Sequence, residues 1–84
     1  MPKTKEIEDK VRDILVDQLI VDETDITPGA RLREDLDADS LDVVEVGMRI
    51  EDTFGFEVDD EDGDGLKTVS DIVALVEKKT KGVQ

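Results

Sequence analysis

Apolar residues recur at helical spacing from the start of the chain: Ile7, Val11, Ile14, Leu15 and Leu19, with Glu6, Glu8, Asp9, Lys10, Asp13 and Asp17 on the other face. The pattern predicts an amphipathic helix over residues 3–19. From Ile20 to about Asp39 the periodicity fails. Thr27-Pro28-Gly29 marks a turn, since proline fixes φ and glycine reaches conformations closed to other residues. Val21, Ile26, Leu32 and Leu36 punctuate this stretch and are expected to pin a long loop to the core. A loop of that length in a small domain is often functional.

A second helix is expected from Asp39 or Ser40 to about Phe54. Asp39 suits the cap, and Asp42 favours the positive end of the helix dipole. Its apolar residues fall into two stripes: Val43, Val46, Ile50 and Phe54, and then Leu41, Val44 and Met48. One stripe is enough to dock on a core. The other either widens the buried face or stays exposed beside Asp42, Glu45 and Glu51, where it would suit an apolar patch rimmed with bases. Gly55 ends the helix, and Phe54, Phe56 or Val58 turns inward. Residues 59–66 are acidic, with room for one short helical turn. Thr68 then caps a last helix from Val69 to about Lys79, with Asp71 completing a Thr-x-x-Asp capping box. No strand pattern and no repeat is present. The fold expected is all-α: a small four-helix bundle, with three main helices, a short third helix and a long loop between helices 1 and 2. It forms one domain over residues 1–84, with about 80–84 as a flexible tail.

Composition then narrows the function. The 84 residues contain no Cys, His, Trp or Tyr. The usual general base near neutral pH is therefore missing, and a self-sufficient enzyme is not expected. Any thiol chemistry would have to come from a group the chain does not encode. Net charge is −13, from 11 basic and 24 acidic side chains. Between Glu34 and Asp64 stand 14 acids and one base, Arg49. That balance opposes binding to nucleic acid or anionic membranes and favours basic partners, although a charged face also serves solubility. The longest apolar run, Ile72 to Val76, is far short of the roughly 18 residues a membrane span needs. Cytoplasmic location and a monomer are the default expectations.

Two motifs carry chemistry. Asp60-Glu61-Asp62-Gly63-Asp64-Gly65, then five residues and Asp71, fits a calcium-loop pattern with Asp in place of the final Glu. The rival reading is thus a small calcium-binding interaction module over Asp60–Asp71. Against it, Lys67 replaces the expected apolar residue, no partner loop exists, and the shorter Asp71 is ill suited to bidentate coordination. Weak divalent association through Asp60, Asp62, Asp64 and Asp71 fits the composition better than a specific metal site.

The second motif is Asp39-Ser40-Leu41. Read alone it is a helix start. In context, Asp35 to Asp62, "DLDADSLDVVEVGMRIEDTFGFEVDDED", closely resembles the acyl carrier proteins of dissociated (type II) fatty acid synthesis. "TPGARLREDL" before it and "LKTVSDIVALV" after it fall in that family's order. The resemblance implies a carrier in which Ser40 bears 4′-phosphopantetheine, added from coenzyme A by a separate phosphopantetheinyl transferase. The thiol of that arm holds acyl groups as thioesters. Asp39 then becomes the acid that contacts the transferase. Leu41, Asp42, Val44, Glu45, Met48 and Glu51, with Val58 and Asp60, match the surface that meets fatty acid synthase-type enzymes and acyltransferases with basic docking patches. A serine at a helix N-terminus independently suits a phosphodiester. The chain departs from the family at Asp37, where many relatives have Gly, at Gly47, where they have a larger aliphatic residue, and at Arg49 and Asp59. These departures keep a carrier for a specialised lipid, polyketide or secondary-metabolite pathway as the alternative.

Overall fold

Four α-helices and one 3-10 turn make up the computed structural model, which describes residues 4–81. Helix α1 spans Thr4–Leu19, the 3-10 turn Glu23–Asp25, α2 Ser40–Phe54, α3 Asp60–Asp64 and α4 Val69–Lys81. The all-α bundle expected from periodicity is the fold. Helix α4 runs two residues past the expected end, and Thr80, expected in the tail, donates its hydroxyl to the Val76 carbonyl at 2.7 Å. The remaining tail residues, 82–84, and Lys3 lie outside the described residues.

Helix α1 packs against both α2 and α4. The core is the meeting of their apolar faces, with Val11, Leu15, Val46, Ile50, Ile72 and Val76 fully buried. No polar or charged residue is buried among the described residues. The interior is therefore held by apolar burial, with no charged residue inside the core.

The long loop is fixed by its own apolar residues. Leu32 and Leu36 enter the core, and Ala30 and Ala38 do so as well. The Leu32 amide donates to the Lys67 carbonyl at 2.9 Å, and the Val69 amide donates to the Ala30 carbonyl at 3.0 Å. These bonds form an isolated antiparallel bridge between Arg31 and Thr68, tying the loop to the start of α4. At the turn, the Ala30 amide donates to the Thr27 carbonyl at 3.0 Å. Pro28 sits in it as expected, but Gly29 adopts no positive φ, so the conformational role expected of it is not used.

Among the described residues, left-handed backbone occurs at three positions. Gly55 ends α2 at φ 76, the usual role of glycine there. Asp37 has φ 57, in the region that favours glycine; Asp is among the residues that tolerate it. Ile20, just after α1, has φ 53 and is 89% exposed. A β-branched residue is strained in that region, and this side chain contributes almost no burial in return. Ile20→Gly should therefore raise stability by about 1 kcal/mol, the strain relieved exceeding the entropy glycine adds to the unfolded chain. A thermal melt should show Tm higher by roughly 4–8 °C.

Candidate functional site

Ser40 is the first residue of α2 and is exposed. The cap is made by its neighbours. Asp39 accepts from the Asp42 amide at 2.8 Å, and Asp42 accepts from the Asp39 amide at 3.2 Å, a reciprocal capping box. The pair leaves the Ser40 hydroxyl out of the capping. Its Oγ instead accepts a hydrogen bond from Arg33 Nη2 at 2.8 Å. Sequence reasoning missed Arg33: it lies seven residues upstream in an aperiodic loop, and only tertiary structure brings it to Ser40.

A groove of about 860 Å³ opens beside Ser40. Val43, Val44, Gly47 and Met48 of α2 line one wall, with Val58, Leu66 and residues of α3 opposite. Gly47 gives this groove depth, since a Cβ built there meets no atom within 4 Å. The wall carrying α3 is tethered to α4 by Lys79, whose Nζ lies 3.2 Å from Asp62 Oδ2. The contact is an ion pair without hydrogen-bond alignment. Desolvation pushes the Asp62 carboxyl up, but Lys79 and other neighbours outweigh it and hold the group below the ordinary carboxylate range. Asp35 is held low too, by hydrogen bonds from Arg31 in the loop.

The surface residues expected to meet partners divide into two kinds. Leu41, Val44 and Met48 are exposed at 64%, 57% and 58%, so the second stripe of α2 does face solvent. Asp60 is exposed and begins α3. Asp42, Glu45, Glu51 and Val58 are half-buried, and the three acids are engaged inside the molecule. Asp42 is in the capping box, Glu45 accepts from Gln18 of α1, and Glu51 accepts from the Val58 amide at 2.6 Å. They form a fixed acidic border around the exposed apolar stripe.

The carboxylates of the calcium-loop pattern are not gathered. Asp60, Asp62 and Asp64 lie on helix α3 instead of a coordinating loop, and Gly65 has φ −84. Asp71 is committed to capping α4: its Oδ2 accepts from the Lys67 and Thr68 amides at 3.1 and 3.0 Å, while its own amide donates to Thr68 Oγ1. Among the described residues no group of three or more acidic side chains is placed to hold a metal ion. A helix cannot wrap alternate carboxylates around one cation, because its side chains radiate.

Ser40 thus stands exposed at the start of α2, beside a groove with an apolar wall and among acidic side chains. Residues 9–76 match the family model for the phosphopantetheine attachment site. Over 72 residues, 86% of this chain and 90% of the other, it is 51% identical to an acyl carrier protein of Akkermansia muciniphila. The chain belongs to the acyl carrier proteins, and its cofactor is a covalently attached 4′-phosphopantetheine. The residues around Ser40 fit that group: the hydroxyl is accessible, the helix N-terminus favours an anion, and Arg33 supplies a cation.

Proposed function

We propose that Ser40 is the attachment residue, and that the chain carries acyl intermediates to enzymes of fatty acid or related lipid synthesis. The observation that carries this reading is the exposed Ser40 hydroxyl at the first position of α2, left outside the capping box made by Asp39 and Asp42. A serine bound into the cap would be held against the helix; this one stands clear of it. In loading, Oγ forms a bond to the phosphorus that bears pantetheine in coenzyme A, and the pyrophosphate linkage breaks. Adenosine bisphosphate leaves, and the serine proton passes to a base of the transferase. Once bound, the arm supplies the thiol that holds the acyl group as a thioester. The chain's own part is to present that arm. Asp39 stands beside the hydroxyl to meet the transferase, and the groove lined by Val43, Val44, Gly47 and Met48 offers an apolar surface next to it.

Docking is assigned to the exposed face of α2 with the adjoining start of α3. Leu41, Val44 and Met48 supply apolar contact, and Asp42, Glu45, Glu51 and Asp60 supply negative charge, with Val58 between the two helices. Such a surface attracts basic patches and gives fast, salt-sensitive encounters. Incubation with coenzyme A and a broad-specificity phosphopantetheinyl transferase should add one phosphopantetheine mass to the wild-type chain and none to Ser40→Ala. A gain that persists in Ser40→Ala would overturn the assignment.

A further inference from the structure

Ser40 lies among carboxylates, with Asp37, Asp39 and Asp42 within three residues of it in sequence. Among the described residues, one cation is hydrogen-bonded to it. Arg12, Arg31 and Arg49 each lie within ion-pairing distance of a carboxylate, as does Lys79. Arg33 makes no such pair among the described residues, and its guanidinium donates instead to the Ser40 hydroxyl at 2.8 Å. Its position is set by the fold. The neighbouring Leu32 is 1% exposed, and its main chain is bonded on both sides, the amide to the Lys67 carbonyl and the carbonyl to the Ala38 amide, each at 2.9 Å. Arg33 and Ser40 also line the same groove.

We propose that Arg33 is a positioning residue for the prosthetic arm, holding the phosphodiester on Ser40 by charge-assisted hydrogen bonds on the side of the groove. The proposal rests on Ser40 being the attachment residue. Loading replaces a neutral hydroxyl with an anion in an already acidic neighbourhood, and Arg33 is the cation placed to offset it. A guanidinium that reaches Oγ is within reach of oxygens joined to Oγ through phosphorus, and its planar fork suits them better than a lysine would. An exposed pair of this kind favours the held over the free arrangement by a ratio of roughly 1.5 to 5. The root of the arm is then biased toward one direction while the rest stays free.

The test uses the full chain loaded by a transferase, with complete loading verified by mass, and compares wild type with Arg33→Gln and Arg33→Lys by phosphorus NMR. The phosphorus of the wild-type protein should relax as part of the folded domain. In Arg33→Gln its line should narrow by up to roughly twofold, with Arg33→Lys in between. Salt near 1 M should remove the difference. In the unmutated protein the Arg33 side-chain signals should also shift on loading, a readout that needs no variant. Equal phosphorus relaxation in fully loaded wild type and Arg33→Gln, with Arg33 signals unmoved by loading, would overturn the proposal. Failure of the wild type to gain the mass would be a different result: it would overturn the assignment of Ser40, and this proposal with it.

Discussion

Leu32→Ala is expected to destabilise the protein by about 2–5 kcal/mol, the range for emptying a well-packed leucine site. Leu32 is 1% exposed and among the largest fully buried side chains, although it belongs to a loop and not to a helix. Its truncation removes apolar burial and leaves a cavity that the surroundings can fill only by moving the loop. The loop is not free to move cheaply. Both main-chain polar groups of Leu32 are hydrogen-bonded, one to the segment before α4 and one to Ala38 at the approach to α2. A domain of this size has about 5–10 kcal/mol of total stability, so the loss takes a large share of it. Tm should fall by roughly 8–40 °C, and a urea melt should show a lower midpoint with the slope unchanged. A loss below about 1 kcal/mol would mean that the loop is not docked as the structure has it. Because Arg33 follows directly, the same change should loosen the residue that reaches Ser40.

That loop marks where reading the sequence stops working. The helices were legible because periodicity records which side of a helix faces the core, and this is a local property of the chain. The two stripes of α2 are the clearest case: Val46 and Ile50 are buried, while Leu41, Val44 and Met48 are exposed. Leu32 and Leu36 could be picked out of the aperiodic stretch because they are large and apolar. Ala30 and Ala38 could not, since a buried alanine and an exposed one look alike in sequence. The 3-10 turn at Glu23–Asp25 carries no buried residue and hence no apolar signal. At the start of α2, the Asp39 cap and the first helical residue Ser40 were legible from their motif. Arg33 was not, nor were the bonds of Glu45 to Gln18, Arg49 to Asp17 and Asp62 to Lys79, which join different elements. The calcium-loop pattern, the rival reading, has no counterpart in the fold for a related reason. It counts carboxylates along the chain, whereas coordination depends on a backbone path that α3 does not follow.

Met48→Lys should lower kcat/KM for a docking enzyme such as the loading transferase by about tenfold or more, with little change in stability. Met48 is 58% exposed and belongs to the apolar stripe with Leu41 and Val44. Full burial of a side chain of that size is worth about 1.5–3 kcal/mol, so covering its exposed part is worth about 1–2 kcal/mol, and tenfold in affinity corresponds to about 1.4 kcal/mol. The introduced charge adds repulsion against a basic partner. The acids are less clean targets. Glu45→Lys would lose the bond to Gln18 of α1, and Glu51→Lys the bond to the Val58 amide, so either change mixes docking with folding. Met48 has no such tie, and an exposed substitution of this kind stays within about 0.5 kcal/mol in stability. Ile20→Ser is the matched control, since Ile20 is, among the described residues, the large exposed apolar side chain that lies outside α2. Kinetics at low and high salt separate the contributions: salt should reduce the electrostatic part and leave the loss of apolar contact. If Met48→Lys reacts within twofold of wild type, or Ile20→Ser slows equally, the α2 stripe is not the docking surface. The arrangement predicts otherwise because its acids are already held in place by internal hydrogen bonds. Docking then orders few side chains, and the exposed methionine and its apolar neighbours are left to supply most of the contact.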